Sequence, residues 1–85
     1  MPVISRFLGI AVRMYPNDHA PPHIHAKYGE YEVKVEIESG VVSGEFPRRA
    51  LGAVLDWYEQ HIPELRENWD RAQNHEPMTW IDPLE

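Results

Sequence analysis

The sequence predicts an α+β domain: a four-stranded antiparallel β-meander followed by two α-helices packed on one face. Three observations predict it. Apolar residues alternate with period two through most of residues 4–46, which is the spacing of strands. Beyond Pro47 the period changes to three and four, the spacing of an amphipathic helix. Gly, Pro, Asn and Ser punctuate the first half at hairpin-like intervals. Strands first and helices second is the order of an α+β layer.

The elements follow in turn. Ile4, Leu8, Ile10, Val12 and Met14 share one side of residues 4–15, broken only by Arg6. Ser5, Phe7, Gly9, Ala11, Arg13 and Tyr15 share the other, so this stretch reads as one long strand whose second face is half apolar. Residues 16–22, PNDHAPP, read as a loop. HIHAKY alternates again, with Ile24, Ala26 and Tyr28 on one face and His23, His25 and Lys27 on the other. Gly29-Glu30 suits a two-residue hairpin turn with glycine first. YEVKVEIE is the clearest strand, with Tyr31, Val33, Val35 and Ile37 inward. Ser39-Gly40 turns the chain, and VVSGEF is a short fourth strand weakened by Gly44.

Leu51, Val54, Leu55, Tyr58, Ile62, Leu65, Trp69 and Ala72 then form one helical stripe. Pro63 interrupts it, because proline lacks an N–H and clashes with the preceding turn. Two helices result, 47–61 and 63–75, with Pro63 in the first turn of the second. Pro77 and Pro83 keep residues 76–85 extended, with Trp80 and Ile81 docking on the sheet. The division is a single domain, 1–85: a meander with a His-rich loop (1–46), two helices (47–75) and a tail (76–85).

Composition bounds the function. A chain of 85 residues is near the lower limit for a self-sufficient core, so a homodimer or a small partner is expected. With no cysteine, disulfides and thiolate metal sites are excluded, which fits a reducing cytoplasm. No apolar run is long enough to suggest a membrane span, and the first residues read as a strand rather than a signal peptide. A net charge of −6 argues against a general nucleic-acid binder. The charge is uneven, however. Arg6, Arg13 and Lys27 face Asp18 alone in residues 1–28, while the rest of the chain is strongly acidic.

DHAPPHIHAKYGE, residues 18–30, holds His19, His23 and His25 in and beside a proline-stiffened loop. Residues two apart in a strand project to one face, so His23 and His25 stand side by side. Two imidazoles suit zinc, nickel, copper or iron, but a third ligand must come from His19, Asp18, Glu30 or a neighbouring strand. An extended Ala20-Pro21-Pro22 would hold His19 about 12 Å from His23, so His19 joins only if the loop folds back. Three uses compete: an incidental structural role, a metal site of His23, His25, His19 and Asp18, and acid/base catalysis by His23, His25 and His19. For the last, Arg13 and Lys27 on the same face would contact a phosphate, so that RNA becomes a substrate disfavoured by net charge. HIHAKYGE also matches the H-x-H-x4-E element of cupin barrels, but the second histidine motif of that fold is missing.

EFPRRAL opens the first helix with Arg48 and Arg49 at the positive end of its dipole and no good cap. The pair is a candidate anion contact, or it is neutralised by Glu38, Glu45 or Asp56. His61 and His75, at predicted helix C-termini, are assigned no ligand role.

ISRFLGI, RMYPNDHAPPHIHAKYGEYE, the SG turn, PRRAL and LRENW together resemble a small bacterial domain-of-unknown-function family, number four-one-six-zero. The resemblance runs in order along nearly the whole chain, and its most specific block is Asn17 to Ala26. It implies a cytoplasmic prokaryotic domain, encoded beside another small protein in arrangements like those of toxin–antitoxin pairs. Carried over by position, its hallmark residues are Arg13, Asp18, His19, Pro22, His23, His25, Glu30, Arg48 and Arg49.

Overall fold

A computed structural model describes residues 3–84; residues 1–2 and 85, the ends of the expected domain, lie outside the described residues. Five strands form one antiparallel sheet in chain order: β1 (Val3–Phe7), β2 (Ile10–Arg13), β3 (His23–Tyr28), β4 (Tyr31–Glu36) and β5 (Val42–Glu45). Two helices follow, α1 (Arg48–Gln60) and α2 (Ile62–Gln73).

The sheet therefore has five strands, not four. What reads as one strand over 4–15 is a hairpin turning at Leu8-Gly9, where φ is 52° and 79°. Two successive residues at positive φ match the twist of a tight two-residue hairpin. Phe7 pairs with Ile10 across the turn, so inward residues are odd-numbered before it and even-numbered after it. A register irregularity between Val3 and Ser5 lets Ile4 join the core as well. Leu8, expected inside, is 72% exposed. The ring of Tyr28 packs on Gly9, leaving little space for a side chain there.

Ile10, Val12, Met14, Ile24, Ala26, Val33, Val35 and Ile37 form the buried face, and Val54, Trp57, Tyr58, Leu65, Trp69 and Ala72 of the helices cover it. Tyr58 donates a 2.6 Å hydrogen bond to the Ile37 carbonyl, tying α1 to the end of β4. Pro63 lies in the first turn of α2, where its missing N–H leaves no helix bond unmade. The tail from Glu76 is irregular, as expected. Ile81 is fully buried and donates its N–H to the Ile4 carbonyl at 2.8 Å, whereas Trp80 is exposed and does not dock. Asn68, buried in α2, holds the tail at both ends of its amide: Nδ2 donates to the Thr79 carbonyl and Oδ1 accepts from the Thr79 N–H, both at 2.8 Å. Among the described residues, no helix is long and apolar enough to cross a membrane.

Candidate metal centre

The loop between β2 and β3 curls rather than extends. The Asp18 N–H reaches the Tyr15 carbonyl at 3.4 Å, and Gln73 of α2 donates to the Asp18 carbonyl at 3.3 Å. This folding carries the Asp18 side chain back onto the start of β3. There the period-two geometry sets His23 and His25 side by side, with ring centroids 5.0 Å apart and planes at 71°. Tyr15 packs edge-on against His25 at 4.8 Å, and Trp69 of α2 lies 5.4 Å from the His23 ring. His23 is buried and His25 is partly open to solvent.

Both imidazoles present Nε2 to one oxygen. Asp18 Oδ2 lies 2.7 Å from His23 Nε2 and 3.1 Å from His25 Nε2. The other nitrogens face separate acceptors, one bonded and one only nearby. His23 Nδ1–H donates to the Pro21 carbonyl at 2.8 Å, and His25 Nδ1 lies 3.4 Å from Glu32 Oε2. A carbonyl only accepts, so Nδ1 carries the hydrogen; Nε2 then faces the carboxylate with a lone pair in the neutral ring or with a second N–H in the cationic one. Two acceptors cannot rest 2.7 Å apart unsupported. A proton must lie between them, or a cation must take its place. A ligating histidine that donates its second N–H to a carbonyl or carboxylate is the usual arrangement around a protein-bound metal. The three ligand atoms lie within 4.8 Å of one another, close enough to converge on one ion.

Burial alone would raise the Asp18 carboxyl. The hydrogen bonds from His25 and from the His19 N–H, with the charge and hydrogen bond of His23, outweigh it and hold the carboxyl below its ordinary value. Asp18 is thus held as an anion between the two rings.

The structure brings together three of the four predicted ligands: Asp18, His23 and His25. His19 stays out. Its ring is exposed, and it contributes only its main-chain N–H, 3.0 Å from Asp18 Oδ1. Of the predicted anion contacts, Arg13 is directly opposite His25 across β2 and β3 and shares its face. Lys27 shares that face one row further along, opposite Ala11 and Glu32. Arg48 and Arg49 are elsewhere. They follow Glu45, which pairs with Glu32 at the end of the sheet away from His23. They are exposed, and among the described residues neither forms an ion pair with Glu38, Glu45 or Asp56; Glu38 instead pairs with Arg66. Glu30 is exposed in the β3–β4 turn.

Sequence reasoning missed Glu32 and Lys34. Their signal was present in the Gly29-Glu30 turn: pairing Tyr28 with Tyr31 places Lys34 opposite His25 and Glu32 one row away.

Searches of curated proteins and of solved structures gave no match. The family model described as "Domain of unknown function (DUF4160)" matches residues 9–70, a span that includes all three ligand candidates and both helices up to Asp70. That match covers well over half of the chain, which therefore belongs to the DUF4160 family.

Proposed function

We propose that this domain is a transition-metal-binding module, with Asp18 Oδ2, His23 Nε2 and His25 Nε2 as ligands. The observation that carries this reading is the orientation of the two imidazoles: each turns Nε2 toward the same carboxylate oxygen, while His23 Nδ1 donates to the Pro21 carbonyl and His25 Nδ1 lies 3.4 Å from Glu32. Two nitrogens and one oxygen suit zinc, iron, nickel or copper better than magnesium or calcium. Three protein ligands leave a coordination position open, as in sites that bind an exchangeable ligand rather than purely structural ones. Histidine acid/base chemistry on a phosphate draws less support, because the Asp18 carboxylate lies between the two rings where an anion would have to enter.

Elemental analysis of untagged protein, with melting curves before and after chelation, tests the proposal. At a metal concentration a hundred times Kd, stability rises by about 2.7 kcal/mol. In a domain this small that is a Tm increase of about 10 °C or more. Asp18→Ala, His23→Ala and His25→Ala should each abolish the increase, and His19→Ala should retain it. Protein that takes up no zinc, nickel, iron or copper and shows no Tm response refutes it. The role in a toxin–antitoxin-like pair is a separate proposal, resting on the family resemblance. Co-expression with the neighbouring small gene product and size exclusion test it; an unshifted elution volume counts against it.

A further inference from the structure

His25 sits in the middle of a cationic row. Across β2 its register partner is Arg13, and across β4 it is Lys34. Directly paired side chains on one face of a sheet lie about 5 Å apart at Cβ, so both cations flank the imidazole. Both are half-buried, and among the described residues neither forms an ion pair. Arg13 Nε is in addition buried without a hydrogen-bond partner. A buried guanidinium N–H with nothing to bond is costly and calls for an acceptor. Two other buried side-chain atoms lack partners, but they differ: Arg71 already reaches Glu67 through its Nη2, and Ser5 lies on the core face.

We propose that Arg13 and Lys34, with the metal held by Asp18, His23 and His25, form a site for one phosphoryl dianion of a small molecule, filled only when the metal is bound. The inference rests on the metal reading above and names the ligand of its open coordination position. Charge decides the metal dependence. Without the ion, Asp18 and Glu32 offset Arg13 and Lys34, and Lys27 and Glu36 on the same face offset each other, so that only the proton between His23 and Asp18 adds charge. A dianion gains little there. A divalent ion leaves the cluster two charges positive, opposite a phosphomonoester that carries about −1.5 to −2 at neutral pH. Arginine supplies planar, directional donors for the phosphoryl oxygens, and lysine supplies a point charge.

The row also limits the size of the ligand. Strands are spaced about 4.8 Å apart, so Arg13 and Lys34 span about 10 Å, enough for one phosphoryl group. Glu30, Glu32, Glu36 and Glu45 surround it on the same half of the sheet, and the chain as a whole carries −6. A polyanion needs several phosphate contacts in series and would meet these carboxylates instead.

The test uses untagged protein, stripped of metal and reloaded with zinc, with metal content measured in every sample. Phenyl phosphate is titrated calorimetrically into the loaded protein, the stripped protein, and loaded Arg13→Gln/Lys34→Gln. The expected result is binding to the loaded parent, weakened about tenfold or more in each of the other two, with the variant retaining its zinc. A single-stranded oligonucleotide without terminal phosphates should bind no more tightly than phenyl phosphate. On the unmodified protein, phenyl phosphate must tighten zinc binding by the same factor as zinc tightens phenyl phosphate. Arg13→Gln and Lys34→Gln singly, each expected to weaken phenyl phosphate several-fold with zinc retained, test the site if the double variant fails to fold. Equal phosphate affinity with and without zinc, full affinity in a folded variant, or tighter binding of the oligonucleotide overturns the inference and leaves the metal centre standing. Failure to hold zinc overturns both.

Discussion

At the scale of single residues, Asp18 joins the site to the fold. It accepts from two imidazoles and one main-chain N–H, and its own carbonyl is anchored by α2. The carboxyl is held below its ordinary value, so the folded metal-free protein takes up this proton less readily than the unfolded chain. The stabilisation from these contacts is therefore present above the unfolded carboxyl pKa, about 3.9, and is lost as the pH falls through the lower folded value. Melting curves of metal-free protein from pH 6 to pH 3 check this: the parent should lose Tm more steeply below about pH 4 than Asp18→Asn does. Much of this centre was legible in the sequence. Period two alone pairs His23 with His25, and Asp18 stands among the few acids able to reach them. His19 was not separable from Asp18 by type or spacing, because the direction in which a proline-bounded loop curls depends on its contacts with Tyr15 and Gln73. Arg13 opposite His25 lay beyond local reasoning for the same reason, since the register crosses that loop.

At the scale of elements, the hairpins carry the clearest expectations. Leu8 holds φ at 52° in the β1–β2 turn with its side chain in solvent. Leu8→Asn keeps the turn, relieves the left-handed backbone penalty and removes an exposed apolar group. It should stabilise by about 0.5–1 kcal/mol, read as a Tm increase of about 4 °C. Gly44 is the opposite case. Its φ is 110°, and a Cβ there would lie 2.5 Å from the Glu32 carbonyl oxygen. Gly44→Ala should cost about 2 kcal/mol or more in chemical denaturation and loosen β5 from β4. The β3–β4 hairpin was readable because alternation and turn chemistry agree there. The β1–β2 hairpin was hidden because leucine is an unusual residue at positive φ, so no Asn-Gly or Asp-Gly signal marks the turn. The trace it did leave was the change of parity between Phe7 and Ile10, visible in the sequence as a second face too apolar for solvent. The helices and the break at Pro63 follow the expected bounds within two residues, because a single stripe and a single proline specify them.

At the scale of the whole molecule, the sheet is built from neighbours in sequence, and long-range closure falls to the tail. Ile81 bonds to Ile4, the Thr79 main chain is clamped by Asn68, and Trp57 Nε1 donates to the Asp82 carbonyl at 2.8 Å. Asn68→Ala would strand the Thr79 N–H and carbonyl without partners, at a cost of about 2 kcal/mol. Hydrogen exchange should then show the Ile81 amide losing protection by a larger factor than the amides of β3; equal loss across both would mean that the tail and sheet open as one unit. The sequence indicated that Ile81 would dock but not how, since the clamp is a side chain in one helix bonding the backbone of a segment with no regular structure.

The stitching of Asp82 and Ile81 to Trp57 and Ile4 also decides what a cut in the tail would undo. A chain cut after Trp80 keeps every strand and both helices, yet lacks the residues that bond to β1 and to Trp57. Cleavage before Thr79 would expose that seam and leave the fragment open to further proteolysis.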